Sequence, residues 1–456
     1  MPSRHKTLED LSVGSFYAGD VLVALALRAA RVGLCFGIPG VQNLKLYEAL
    51  ADLDLSSSTV RTVLVANEEC IGYAACAAWR TGGIEGASVH ERPLPCVNVI
   101  GGPGITHALP GIAMALREGC AMLVLTTGVK LGAGGAGGAD RHRFQLHDVD
   151  NLGIVAPVVK HVFRPARGDD MVAVVLEACA LARSGTPGPV AVEIPSDMVS
   201  AQHRFTAPDS ALIDVASAMR LVAPASDDGA AAAHAADPNA HHAVLQHAES
   251  AVDDDDSASR VLAAIAAVLD DGSGGAIMTA DAGLCSEFAA IAQRSTNALH
   301  VLRPAAQSIC GNSVPAAMGA ALTRQLLAQL GSAHGGATRC ATPIVALANT
   351  HSLLMTGFEL ATVAQQNLPV AVVVLTVERS DEEEREEHGA GVGTGGGEED
   401  ASSHPCGWLA RARAPYCSDL GHGAVDCASF AAIFGLPYFK VEVSVLVLVP
   451  SGVYVP

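Results

Sequence analysis

The chain has 456 residues, of which 50% are hydrophobic and 16% are charged, so it can bury a large core and exceeds one average domain. The 47 acidic and 28 basic residues give a net charge of -19. This balance argues against nucleic-acid binding, because phosphate groups require a basic surface. Most of the negative charge lies in residues 227–256 and 381–400, and the rest of the chain is close to neutral.

The twelve cysteines and the apolar runs bear on the compartment of the protein. The cysteines form no C-x-x-C pair and have no histidine at zinc-ligand spacing, and this scatter favours free thiols in a reducing compartment. The start of the chain, MPSRHKTLEDL, lacks an apolar signal core. No apolar run approaches the roughly 20 residues of a membrane-spanning helix. We therefore expect a cytoplasmic protein without a membrane segment.

Helical and strand periodicities alternate from Phe16 to Asp197, and this pattern predicts an α/β domain with a mainly parallel sheet. Helices are predicted at residues 19–31, 43–53, 68–80, 105–118 and 170–183. Strands are predicted at residues 33–38, 61–66, 95–100, 121–127 and 189–194. We place this first domain at residues 1–205.

Residues 206–258 are rich in Ala, His, Ser and Asp, a composition that predicts a low-complexity linker. A second alternating series follows, which predicts another α/β domain at residues 259–456 with an acidic, Gly-rich insert at 380–403. Its predicted helices are residues 259–269, 285–293, 314–330, 356–366 and 426–434. Its predicted strands are residues 276–280, 299–303, 343–347, 369–376 and 438–443.

Glycine-rich turns follow two strands of the first domain, FGIPG at residues 36–40 and GGPG at residues 101–104. In an open parallel sheet such turns lie at the carboxyl edge, where ligands bind. Taken alone, these turns are better explained as tight turns that need glycine for close backbone packing. No G-x-G-x-x-G motif follows the first strand, which argues against a dinucleotide site.

Glu68 lies where an apolar strand changes into a helix of small residues, in VLVANEECIGYAACAAWR. An acidic side chain at a helix N-terminus is favoured by the helix dipole. Glu68 is therefore either a functional carboxylate or a helix-capping one, and Glu69 competes for either role.

Taken together, the motifs resemble the thiamine-diphosphate enzymes of the acetolactate synthase and pyruvate decarboxylase type. The first domain carries FGIPG, Asn67-Glu68, GGPGITH and GTPGPVAVEIP in the order of that family. The second carries GNSVPAAMGAAL and SLLMTGFELATVAQQNLPVAVVVL. The resemblance implies two thiamine-diphosphate-binding domains, with the usual middle domain reduced to the linker. Because that middle domain helps to hold flavin in acetolactate synthases, its loss argues against an FAD requirement.

The resemblance also implies roles for individual residues. Glu68 is the carboxylate that hydrogen-bonds N1′ of the aminopyrimidine and so promotes loss of the thiazolium C2 proton. Pro39 and Gly40 bind the cofactor, and His107 lies on the substrate side. Cys310 stands where the family usually has Ile, Leu or Met to support the bent cofactor. The family's cofactor spans a subunit interface, so a homodimer or homotetramer acting on a 2-oxo acid is implied.

The sequence departs from the family where Mg²⁺ normally binds the diphosphate through G-D-G-S and a later N-N pair. Aligned with these motifs are Asn349, Thr350, His351 and Ser352, followed by Thr376 and Val377. The resemblance places cofactor binding at the first four, and metal ligation at Thr350 and Thr376. Thr350 replaces the metal-binding Asp, so the predicted metal site is degenerate, because hard cations favour carboxylate oxygens.

Two functional hypotheses remain. One is a thiamine-diphosphate-dependent 2-oxo acid decarboxylase or carboligase resembling acetolactate synthase, which the intact Glu68 favours. The other is a non-catalytic relative that acts as a binding or regulatory partner, which Thr350 favours.

Overall fold

The computed structural model describes residues 7–54, 60–130, 147–208, 276–295, 299–332, 344–375, 427–435, 438–441 and 445–448. Two six-stranded sheets flanked by helices confirm the predicted α/β class. A short antiparallel ribbon pairs β1 (Phe16–Ala18) with β8 (Gln202–Arg204). Residues 209–258 of the predicted linker, the acidic insert and the predicted helix at 259–269 lie outside the described residues.

The first sheet is parallel throughout, with the strand order β3-β2-β4-β5-β7-β6. Its strands are β2 (Val32–Gly37), β3 (Arg61–Leu64), β4 (Leu94–Ile100), β5 (Met122–Gly128), β6 (His161–Phe163) and β7 (Pro189–Pro195). Its helices are α1 (Gly19–Ala29), α2 (Leu44–Asp54), α3 (Glu68–Ile84), α4 (Pro103–Arg117), α5 (Asn151–Val155), α6 (Met171–Arg183) and α7 (Ser196–Ser200). The strand order reverses between β2 and β4, which creates a switch point for ligand binding.

The second sheet has the strand order β10-β9-β11-β12-β14-β13. Its strands are β9 (Ala276–Ala280), β10 (Leu299–Leu302), β11 (Ile344–Asn349), β12 (Val370–Leu375), β13 (Tyr438–Val441) and β14 (Val445–Leu448). Its helices are α8 (Leu284–Ser295), α9 (Ser313–Ser332), α10 (Thr350–Thr356), α11 (Leu360–Gln365) and α12 (Cys427–Ile433). The first four strands are parallel, whereas β14, which no periodicity predicted, is antiparallel to both of its neighbours. The order again reverses, here between β9 and β11.

The prediction of a single helix at residues 356–366 was wrong. The structure has α10, a 3-10 turn at Gly357–Glu359, and α11. The earlier start has a local cause, because the Asn349 side chain caps α10 by accepting the Ser352 N–H at 2.8 Å. At the interruption Gly357 is packed tightly, since a Cβ there would lie 2.8 Å from Leu353 Cδ1.

The two halves dock through α3 and α9. A Cβ at Gly319 would lie 2.1 Å from the carbonyl oxygen of Ala74, so the two helices touch through their backbones. Nearby, Arg324 Nε and Glu85 Oε1 form a buried ion pair at 2.8 Å. One hydrophobic core continues across this contact. The second half therefore packs directly on the helix that begins with Glu68.

Within the described part of the chain, none of the helices combines the length and apolarity that crossing a bilayer requires.

Candidate functional site

The turn after β2 lies at the switch point of the first sheet, beside the end of β4. Gly40 packs closely there, because a Cβ would lie 2.6 Å from Ile100 Cγ2. The buried Asn43 holds the turn, since its Oδ1 accepts the Gly40 N–H at 2.7 Å. Pro39 is exposed next to it. The turn thus presents Pro39 and Gly40 at the edge where open α/β sheets bind ligands.

The second glycine turn is held by a buried polar network. Gly102 has a φ of 71°, in the left-handed region, and its N–H donates to Asn151 Oδ1 at 2.8 Å. Asn151 Nδ2 in turn donates to Glu193 Oε1 at 2.8 Å, and Arg164 Nε donates to Glu193 Oε2 at 2.8 Å. Because Gly102 caps α4, the network fixes where that helix begins. In the sequence, the feature that could have indicated this network is Glu193, an acidic residue within a buried apolar strand.

Glu68 and His107 face each other across α3 and α4. His107 Nδ1 lies 3.6 Å from Glu68 Oε2, and their side chains are 63% and 19% exposed. The neighbouring Glu69 instead accepts the Tyr73 hydroxyl at 3.0 Å on its own helix. Asn67 is the helix cap, because its Oδ1 accepts the Glu69 N–H at 3.0 Å. The geometry therefore separates the two candidate carboxylates: Glu68 is partly exposed beside a histidine, and Glu69 is bonded within its helix.

The first half offers the kinds of group that an aminopyrimidine ring would need. A partly exposed carboxylate and a close-packed glycine turn lie at one sheet edge, as described above. Asn98 pairs with Gly37 in the sheet register and is fully buried. Both polar atoms of its side chain lack a hydrogen-bond partner within the described residues. Unused buried polar groups of this kind mark places where a ligand or water can bind.

At the switch point of the second sheet, Asp281 follows β9 directly. Its N–H donates to the carbonyl oxygen of Leu347 on β11 at 3.2 Å. Its carboxylate accepts the Ser313 N–H at 3.0 Å and the Ser313 hydroxyl at 2.7 Å. Burial raises the pKa of Asp281, although these hydrogen bonds oppose the rise. The Asp281 carboxylate thus hydrogen-bonds to Ser313, the first residue of α9.

The residues aligned with the family's diphosphate motif open α10 beside Cys310. Thr356 Oγ1 donates to the carbonyl oxygen of Gly311 at 2.7 Å, which joins α10 to the turn that carries Cys310. Burial, and next the charge of Asp281, raise the pKa of the Cys310 thiol. Of the aligned residues, Ser352 is buried, Asn349 and Thr350 are half-buried and His351 is exposed. The structure thus brings Cys310 and these four residues to one edge of the second sheet.

The described donors at this edge do not fit a divalent cation. Such an ion needs several oxygen ligands, usually with carboxylates among them. Asn349 Oδ1 already accepts the Ser352 N–H, Thr350 offers one neutral hydroxyl, and the Asp281 carboxylate is occupied by Ser313. Across the described ranges, His, Cys, Asp and Glu side chains form no group of three that could hold a metal. Thr376 lies outside the described residues.

Comparison with known protein families settles the origin of both halves. Residues 18–153 match the N-terminal TPP binding domain of thiamine pyrophosphate enzymes. Residues 281–443 match the C-terminal TPP binding domain of the same enzymes. The chain belongs to the thiamine pyrophosphate enzyme family. The two six-stranded sheets thus belong to the two thiamine-pyrophosphate-binding domains that the sequence motifs predicted.

Curated relatives of this thiamine pyrophosphate family member include acetolactate synthases. The large subunit from Haemophilus influenzae is 31% identical over 188 residues, 41% of this chain and 29% of that protein. The Lactococcus lactis large subunit is 32% identical over 181 residues, 40% of this chain and 28% of that protein. The Mycobacterium bovis acetolactate synthase is 34% identical over 190 residues, 42% of this chain and 28% of that protein. The matched segment therefore spans less than one third of each relative.

Proposed function

We propose that this chain is a thiamine-diphosphate-dependent 2-oxo acid decarboxylase or carboligase resembling acetolactate synthase. The observation that carries the proposal is the partly exposed Glu68 carboxylate at the start of α3, 3.6 Å from His107. When bound, the cofactor supplies an acidic thiazolium C–H group and an electron sink for decarboxylation.

The residues of the first domain have distinct roles in this proposal. Glu68 holds a proton at N1′ of the aminopyrimidine, the step in which a positioned carboxyl group acts as general acid or base. His107, 3.6 Å from the Glu68 carboxylate, lies on the substrate side and faces the 2-oxo acid. Pro39 and Gly40 form the wall against which the ring lies, and close packing of Gly40 on Ile100 keeps that wall rigid.

In this proposal the cofactor spans a subunit interface, so the second domain of one chain holds the diphosphate end of the cofactor whose pyrimidine end lies on the first domain of the other chain. Cys310 would support the bent cofactor, and Asn349, Thr350, His351 and Ser352 would hold its diphosphate end. We assign no step to Mg²⁺, because the described donors there do not form a cation site. The protein acts in the cytoplasm as a homodimer or homotetramer, and it uses no FAD.

The deciding experiment is cofactor-dependent CO2 release from a panel of small 2-oxo acids. The full chain should release CO2 only when thiamine diphosphate is present, because decarboxylation needs the thiazolium as electron sink. A protein that binds the cofactor and yet releases no CO2 from any member of the panel would contradict the enzymatic proposal.

A second candidate function, a non-catalytic binding or regulatory partner, is favoured by Thr350 at the position of the metal-binding Asp. Thr350→Asp tests how much that change matters. The variant should bind thiamine diphosphate about tenfold more tightly with Mg²⁺ than without it, because a carboxylate suits a hard cation. Titration calorimetry with and without Mg²⁺ measures the ratio.

His351→Asp is the matched control for Thr350→Asp, because it adds the same charge at the exposed neighbouring position. It should leave the Mg²⁺ dependence unchanged. If both variants change the Mg²⁺ dependence of cofactor binding equally, the effect comes from the added negative charge and not from a metal ligand at position 350.

A further inference from the structure

Glu359 is a buried carboxylate of the second domain that contacts the chain just before Glu68. It ends the 3-10 turn between α10 and α11 and is 1% exposed. Its Oε1 accepts the backbone N–H of Ala66 at 2.9 Å and that of Asn67 at 3.1 Å. One carboxylate oxygen from the second domain thus binds the backbone N–H groups of the two residues that immediately precede Glu68.

Among the described residues, the other hydrogen-bonding partners of Glu359 are uncharged side chains. Its Oε2 accepts the Thr362 hydroxyl at 3.0 Å, and the Cys70 thiol hydrogen-bonds to the same carboxylate. Burial raises the pKa of Glu359, while its hydrogen bonds to Thr362, Ala66, Asn67 and Cys70 oppose the rise. Burying a carboxylate is costly unless it is hydrogen-bonded, and here those bonds converge on the strand end and the first turn of α3.

The segment that Glu359 holds is the one that orients Glu68. Asn67 caps α3 through the Glu69 N–H, and the Val65 N–H donates to the carbonyl oxygen of Gly37 at 3.3 Å. The first domain therefore supplies one set of restraints on this turn. Glu359 supplies a second set, which exists only when the second domain is docked.

We propose that Glu359 is a positioning residue for Glu68, so that docking of the second domain sets the orientation of the carboxylate that acts on the cofactor. The inference rests on the proposed function of Glu68. Glu359 itself does not reach the cofactor and acts through the backbone of Ala66 and Asn67. Small displacements of a reacting group are costly in rate: a shift of about 1 Å can lower it about 100-fold.

The test compares Glu359→Ala with Glu359→Gln. Gln keeps an oxygen that can accept both amides, whereas Ala removes it. In the cofactor-free protein, hydrogen exchange at the Ala66 and Asn67 amides should accelerate in the Ala variant and stay near the wild-type rate in the Gln variant. This first readout reports the contact without any cofactor.

The second readout is deuterium exchange at C2 of thiamine diphosphate bound to the full chain, followed by acid quench and proton NMR. Glu359→Ala should lower this rate about 100-fold at unchanged cofactor affinity, and Glu359→Gln should restore most of it. Glu85→Gln is the matched interface control, because it weakens the Glu85–Arg324 pair of the same domain contact away from Ala66 and Asn67. It should leave the C2 exchange rate near the wild-type value.

Unchanged amide exchange in Glu359→Ala, or an equal loss of C2 exchange in Glu85→Gln, would overturn the positioning role. If Glu359→Ala does not fold, Thr362→Val takes its place. It removes the bond to Oε2, together with a longer one of 3.4 Å to the carbonyl oxygen of Leu64, and should lower C2 exchange partially. A wild-type chain without C2 exchange but with the expected amide pattern would overturn the proposed function, and the positioning role with it, while the contact itself stands.

Discussion

Glu68→Gln should lower the C2 proton exchange of bound thiamine diphosphate by about 100- to 10,000-fold, the range typical of a lost general acid or base. The amide keeps the size of the side chain and its place beside His107, and it removes the proton that a carboxyl group can hold at N1′. Because the exchange needs no substrate, the measurement does not depend on which 2-oxo acid the protein uses. Acid quench and proton NMR of the cofactor give the rate.

Glu69→Gln is the matched control for Glu68→Gln, since it makes the same chemical change one residue further along α3. Glu69 accepts the Tyr73 hydroxyl within its helix, and an amide oxygen can accept that bond as well. Its exchange rate should therefore stay within about threefold of wild type, which corresponds to less than about 1 kcal/mol. A larger loss in Glu69→Gln than in Glu68→Gln would reverse the assignment of the two carboxylates.

Gly72→Ala should destabilise the protein by about 3 kcal/mol, at the upper end of what overpacking a core usually costs. Gly72 lies where α3 crosses α4, and a Cβ there would lie 2.5 Å from the carbonyl carbon of Gly111. Backbone atoms cannot move aside as a flexible side chain can, so the two helices must separate. The free energy of unfolding from urea denaturation measures the loss.

The same change at Gly83, further along α3, is the control for Gly72→Ala. The three atoms nearest to a Cβ at Gly83 all belong to the guanidinium end of Arg92, the far end of a flexible side chain, and Ala favours a helix by up to about 1 kcal/mol. Gly83→Ala should therefore stay within about 1 kcal/mol of wild type. If both variants lose the same stability, the α3–α4 crossing is not the close contact that brings Glu68 to His107.

The alternation of apolar strands and amphipathic helices was enough to predict the α/β class and most central elements. The strands β2, β5 and β7 are buried along their whole length, and β4 along all but its last residue, and fully buried parallel strands read as continuous apolar runs. The antiparallel strand β14 was not predicted. Its place between β12 and β13 depends on pairing with β12, which is distant along the chain, and no local sequence pattern shows such pairing.

The site was only partly predictable for a related reason. Glu68 stood out because it follows a strand and opens a helix, but that local pattern did not separate it from Glu69, and only the family resemblance assigned the role to Glu68. In the structure His107 and Tyr73 contact different carboxylates and so distinguish the two. Glu359 lies 292 residues from Asn67 along the chain, so no local pattern connects the two. Asn151 and Arg164 were likewise visible only once folding had placed them beside Glu193.

The central claim is that these two domains still bind thiamine diphosphate although Thr350 has replaced the metal-binding Asp. Titration calorimetry of the wild-type full chain with thiamine diphosphate and Mg²⁺ tests it most directly. We expect saturable binding with one cofactor per chain. No detectable binding at about millimolar cofactor, where binding would contribute only about 4 kcal/mol, would contradict the account and leave the non-catalytic partner as the better description.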